Sequence, residues 1–95
     1  MPSHIGLLEL ELHIPYAQSL KDKRMALRSL RDRLRKKFNV SVAETDHQEL
    51  WQRAGMGVVS VGPDPGYLER QLALALEEVH RTLPDCEVVG TIGLL

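Results

Sequence analysis

Ninety-five residues with 43% hydrophobic and 26% charged content are those of one ordinary globular domain, residues 1–95, and argue against disorder. A formal net charge of −1 excludes a uniformly basic nucleic-acid-binding surface, and the single Cys86 excludes an internal disulfide or a multi-thiolate zinc site. The opening "MPSHIGLLELELHIP" lacks a basic leader and carries Glu9 and Glu11, and no run approaches the roughly 18 apolar residues of a membrane span. A soluble, cytoplasmic protein is the expectation.

The first predicted element is a strand, "IGLLELELHI". Leu8, Leu10, Leu12 and Ile14 share one face, while Ile5, Leu7, Glu9, Glu11 and His13 share the other. Pro15 ends it, and Ser19 with Asp22 three residues on reads as a shortened capping box. Leu20, Leu27, Leu30, Leu34 and Phe38 then form the apolar stripe of a helix. "NVSVAETD" returns to strand character, with Phe38, Val40 and Val42 toward the core. Glu49 to Arg53 reads either as a short helical turn or as the start of a strand near Leu50, and Ala54–Val61 reads as strand. Asp64 followed by Pro65 opens a second helix, with Leu68, Leu72, Ala75, Leu76, Val79 and Leu83 along its apolar side and Pro84 at its end. "CEVVGTIGLL" closes the chain as a strand, with Cys86, Val88, Ile92 and Leu94 on one face.

The order β-α-β-β-α-β builds two right-handed split β-α-β units. Interlocked, they give an α+β, ferredoxin-like sandwich: a four-stranded sheet of order 4-1-3-2 with two helices on one face. The other face is then bare, and the alternation places Ile5, Leu7, Glu9, Glu11, Gly55, Gly57, Val59, Val61, Val89, Thr91 and Gly93 on it. Glycine in a strand marks a bulge or a close approach, and an apolar sheet face in water invites a cover. A homodimer or protein partner packed on Leu7, Gly55, Gly57 and Val59 is one expectation. Ordinary bulges and exposed valines are the alternative.

Charge is distributed unevenly. Residues 19–38, "SLKDKRMALRSLRDRLRKKF", hold nine of the twelve lysines and arginines. At about 100° per residue, Lys21, Arg24, Arg28, Arg31 and Arg35 align as one row beside the apolar stripe. Arg35, Lys36 and Lys37 complement the helix dipole at the C-terminus, but Lys21, Lys23 and Arg24 crowd the end where it disfavours cations. A row of cations suits a polyanion, since each neutralised phosphate releases counterions. The competing reading is a solvated face whose arginines pair with Glu69, Glu77 and Glu78 of the second helix.

Sheet-based RNA recognition does not fit these residues. The first and third strands carry no Phe, Tyr or Trp to stack on bases, Glu9 and Glu11 repel phosphate, and no GXXG clamp is present. RNA contact, if made, belongs to the helix. "ETDHQELW" gathers Glu44, Asp46, His47 and Glu49 without the spacing of a zinc or calcium loop, so a polar turn is expected there. Asp85 and Glu87 raise the pKa of Cys86 rather than activating it. Trp51 is expected as a packing anchor beneath the middle connection, with a partner-binding anchor as the alternative. No catalytic residue, metal, cofactor or small-molecule substrate is evident, and a non-enzymatic role is expected.

"SLKDKR", "FNVSVAE" and "DHQELWQRA" followed by a glycine–valine strand resemble, in order and spacing, the YlxP-like family of small bacterial domains of unknown function. The resemblance covers essentially the whole chain. It implies a ferredoxin-like fold and supplies no catalytic residues or cofactor. Genes of that family often lie among those for transcription elongation, translation initiation and ribosome maturation, which implies an RNA or ribosome partner by association. It also implies that Ser19, Lys21, Asp22, Lys23, Arg24, Asn39, Ser41, Glu44, Trp51, Gln52 and Arg53 belong to the family's pattern.

Overall fold

A computed structural model describes residues 2–95. Its elements are β1 (His4–His13), α1 (Leu20–Lys37), β2 (Ser41–Asp46), β3 (Arg53–Gly62), α2 (Pro65–Thr82) and β4 (Glu87–Leu94). The sheet order is β2-β3-β1-β4, which is 4-1-3-2 read from the opposite edge, and every neighbouring pair is antiparallel. β1 and β2 run the same way with β3 between them, as the split topology requires.

Period-two patterning sets the register. Leu8, Leu10 and Leu12 pair with Val58, Met56 and Ala54, and all six are buried beneath the helices. Leu27, Leu30 and Leu34 of α1 and Leu68, Leu72, Ala75 and Val79 of α2 complete the core. Glycines on the helix side let α2 settle close to the sheet. A Cβ at Gly6 would stand 2.8 Å from Leu72 Cδ1, and one at Gly90 2.7 Å from Leu76 Cδ1. A buried polar relay joins the layers: Gln71 Nε2 donates to Ser60 Oγ at 2.6 Å, and Ser60 Oγ donates to the Asn39 carbonyl at 3.0 Å.

Both helix starts follow from their caps. Ser19 Oγ accepts from the Asp22 N–H at 3.0 Å, and Asp22 Oδ2 accepts from the Gln18 N–H at 3.0 Å, a capping box reaching one residue further out. Asp64 Oδ1 accepts from the Gly66 N–H, with Pro65 opening α2. Asp64 thus spends its carboxylate locally, at the start of the second helix.

Two expectations change. The bulge that the open-face glycines suggested lies in β2, between Glu44 and Asp46, opposite Gly55, where a Cβ would meet Asp46 Cβ at 2.9 Å. The stretch from His47 to Gln52 is neither helix nor strand. It is a turn closed by the Leu50 N–H on the His47 carbonyl, with His47 in the left-handed region at φ 59°. No helix among the described residues is long and apolar enough to cross a membrane.

Candidate nucleic-acid interface

α1 carries eight of its nine cations in three layers, with Lys36 exposed outside them. Positions 20, 23, 27, 30 and 34 fall at spacings of three and four, and the helix turns this row inward. Lys23 is therefore fully buried in the apolar stripe. Its Nζ lies 2.9 Å from Glu44 Oε2 and donates to the carbonyls of His47 at 2.8 Å, Arg53 at 3.2 Å and Gln48 at 3.3 Å. Burying an ammonium is tolerable only with such partners. Lys23 ties the start of α1 to the end of β2, the following turn and the start of β3, which separates it from Lys21 and Arg24, the cations it crowds with in the sequence.

A second group faces α2. Glu78, 1% exposed, meets Lys37 Nζ at 3.0 Å, Arg33 Nη1 at 3.7 Å and Arg81 Nη1 at 2.7 Å. The Lys37 hydrogen bond, with that of Arg81, holds the Glu78 carboxyl below its usual range against the opposing effect of burial. Pairing between the helices is thus real, but it uses Arg33 and Lys37 rather than the aligned row.

That row, Lys21, Arg24, Arg28, Arg31 and Arg35, forms the third layer. Among the described residues no carboxylate lies within 4.0 Å of Lys21, Arg24, Arg28 or Arg35. Arg31 is half-buried, with Nε 3.5 Å from Asp32 Oδ1 on its own helix. Arg24, Arg28 and Arg31 overhang a cavity of about 190 Å³ against the edge strand β2, floored by Leu27, Val42, Ala43 and Met56. Glu44 also borders this cavity, and its carboxylate is engaged by Lys23. An anion approaching β2 along α1 meets guanidinium groups from successive turns.

The open sheet face has two ends. Ile5 pairs with Val61 and Leu7 with Val59, and the Leu95 N–H bonds to the Ile5 carbonyl, making one apolar end. Ile5, Val59, Val61 and Leu95 are exposed and Leu7 half-buried. Gly57 sits beside them, with ordinary contact distances of 3.5 Å and 3.8 Å for an added Cβ. At the other end Glu11 holds His47 Nε2 at 3.1 Å and Arg53 Nη2 at 3.7 Å, and Asp46 Oδ1 accepts the His47 N–H at 2.8 Å. Of the "ETDHQELW" group, the fold brings Asp46 and His47 together beside Glu11, turns Glu44 inward to Lys23, and leaves Glu49 exposed away from them. Arg53 offsets one of the two carboxylates of this cluster, that of Glu11.

Trp51 is not a packing anchor: it is 54% exposed, and its neighbour Leu50 47%. The anchor of the turn is Gln52, whose Nε2 donates to the carbonyls of Pro15 and Ala17 at 3.1 Å while its own carbonyl accepts from Ile14 N–H at 2.8 Å. Trp51 and Leu50 border an open pocket of about 460 Å³ with His13, Glu49, Gln52 and Arg53. Elsewhere, burial, helped by Asp85, pushes the Cys86 thiol up against the lowering effect of its Tyr16 hydrogen bond, the expected direction, and the Tyr16 hydroxyl 3.9 Å away is pushed up to about 12, chiefly by burial. A thiol held protonated is a poor nucleophile.

A protein relative and several solved structures resemble the chain. An uncharacterized protein, YlxP, from Bacillus subtilis (strain 168) is 36% identical over 89 residues, spanning 87% of this chain and 97% of that protein. A crystallised C-terminal segment of the alpha subunit of aIF2 from Pyrococcus abyssi matches 95% of this chain over 50% of its own length, at 24% identity and a TM-score of 0.61. Two de novo designed proteins, LFR1 1 with a ferredoxin fold and Foldit4, match with TM-scores of 0.60 and 0.57 at 12% and 16% identity; they are covered over 83% and 96% of their lengths, and this chain over 93% and 94%. These structural likenesses establish the fold alone. Residues 5–91 match the family model described as "Protein of unknown function (DUF503)", and with the full-length YlxP relative this places the chain in the DUF503 family of YlxP-like domains.

Proposed function

We propose that this domain is a non-enzymatic accessory module that binds RNA, free or within a ribonucleoprotein such as the ribosome, along Lys21, Arg24, Arg28, Arg31 and Arg35. What supports this is that, among the described residues, the domain's own acids leave four of the five cations of the row unpaired, Arg31 alone meeting Asp32 of its own helix. Glu44 and Glu78 each neutralise cations of the same helix, yet they take Lys23, Arg33 and Lys37. From residue 21 to 35 the row spans about 21 Å, the length of roughly six nucleotides of stacked strand. Cations at the N-terminal end of a helix are mildly unfavourable. Lys21 and Arg24 carry that cost without an internal partner, which an external polyanion offsets. The test is RNA binding by the wild type against Arg24→Glu/Arg28→Glu/Arg31→Glu. Equal binding by the two proteins, or none by either, removes the proposal.

The apolar end of the open face supports a second reading, a homodimer joined through Leu7, Gly57, Val59 and their neighbours. Ile5 and Val61 are cross-strand partners and both are exposed, at 41% and 56%. Gly57→Lys fits the monomer, because the added Cβ meets nothing closer than 3.5 Å. Sedimentation then shows a dimer for the wild type and a monomer for the variant; a variant dimer places the contact elsewhere.

A further inference from the structure

We infer that the RNA bound along α1 is single-stranded and that Trp51 stacks on one of its bases, an inference that rests on the RNA reading above. Trp51 is the chain's only tryptophan, and half of it stands in solvent. Exposing so large an apolar ring is unfavourable, and here it is not the result of a loose loop. The turn is fastened on both sides of the indole. Lys23 Nζ holds the His47 and Gln48 carbonyls before it, and Gln52 is bonded to Pro15, Ala17 and Ile14 after it. The ring is therefore presented in advance rather than folded on demand.

The same bonds fix where it is presented. Lys23 belongs to the first turn of α1, and residues 15–17 lead directly into that helix. The turn carrying Trp51 is thus docked at the end of α1 where the cationic row begins. A strand whose phosphates follow Arg35 to Lys21 runs toward the end of the domain that carries the indole. The pocket beside the ring, about 460 Å³, lies within the range of small-ligand sites. Glu49, Arg53 and His13 line it beside the ring, with Arg53 Nη2 drawn toward Glu11 and His47 and His13 Nδ1 toward Glu87. An aromatic platform joined to a basic track is the general design for single strands, because only unpaired bases expose their faces. A duplex keeps its bases stacked on one another and has no use for the indole.

The experiment uses the full chain, an oligouridylate and an RNA duplex of equal length, with Trp51 emission and binding both recorded. The expected result is quenching by the single strand and none by the duplex. Trp51→Ala weakens single-strand binding roughly 5- to 150-fold, the range of one base–aromatic stack, leaves duplex binding unchanged, and Trp51→Phe restores most of the loss. Unquenched emission, or a Trp51→Ala protein that binds the single strand as tightly as wild type while Arg24→Glu/Arg28→Glu/Arg31→Glu abolishes binding, overturns the stacking and leaves the cationic row intact. Equal weakening toward single strand and duplex also overturns it, since the indole then acts only through the fold. Absence of RNA binding by the wild type removes both proposals.

Discussion

The Lys23 ammonium and the Glu44 carboxylate meet at 2.9 Å, one from the first turn of α1 and the other from β2, with the lysine side chain sealed from solvent. Three carbonyls share the same nitrogen, so each of its protons has an acceptor. The pair divides the "SLKDKR" segment by role. Ser19 and Asp22 cap the helix, Lys23 fastens it, and Lys21 and Arg24 are left to face outward.

Lys23→Met leaves Glu44 and three carbonyls without their cation. Removing one partner of a buried pair costs about 3–5 kcal/mol, a large share of the roughly 5–15 kcal/mol by which a domain is stable. Urea unfolding should show that loss as a lower midpoint at unchanged slope. Lys21→Met, two residues away and exposed, should move stability by no more than about 0.5 kcal/mol.

Glu78 makes stability depend on acid. Its folded carboxyl is held below the unfolded value of 4.5, first by the Lys37 hydrogen bond and then by that of Arg81. The folded state therefore binds this proton less readily than the unfolded state, so the stabilisation is complete above pH 4.5 and is lost as pH falls through the lower folded value. Thermal unfolding followed against pH should show the midpoint dropping below 4.5. Glu78→Gln should start lower at neutral pH and fall less in acid; an acid limb identical to wild type contradicts the assignment.

Two sheet glycines should respond differently to alanine. At Gly6 the new methyl lies 2.8 Å from Leu72 Cδ1 and 3.4 Å from Leu68 Cβ, both buried residues of α2. Such overpacking costs about 1–3 kcal/mol. At Gly93 nothing stands within 4 Å, so Gly93→Ala should be neutral to within about 0.5 kcal/mol. Chemical unfolding of the two variants checks the difference.

The fold was legible because its signals are local. Leu8, Leu10 and Leu12 alternate with Glu9 and Glu11, Asp64 precedes Pro65, and Leu27, Leu30 and Leu34 keep helical spacing. These fix the elements, and the split topology then fixes the open face. The cationic row was legible for the same reason. Lys23 was not, because a lysine on an apolar stripe is normally exposed by its charge, and only Glu44 and the carbonyls beyond it make burial tolerable. The spacing 20, 23, 27, 30, 34 was the available signal. Trp51 escaped for the opposite reason: Gln52, not the indole, supplies the bonds that hold the turn, and composition alone assigns a tryptophan to the interior. Glu78 as the acid shared by Arg33, Lys37 and Arg81 depends on how α1 and α2 lie beside each other, which no single-helix pattern carries.

The central claim, that the outward row of α1 is an RNA-binding surface, is tested most directly by the salt dependence of binding. Log affinity for single-stranded RNA should fall linearly with log salt, with a slope near −0.7 per phosphate neutralised, and Arg28→Ala should make that slope shallower by about 0.7. Lys36→Ala, changed on the same helix outside the row, should leave the slope as it is. A wild-type affinity indifferent to salt, or an Arg28→Ala slope equal to the wild type's, would contradict the claim.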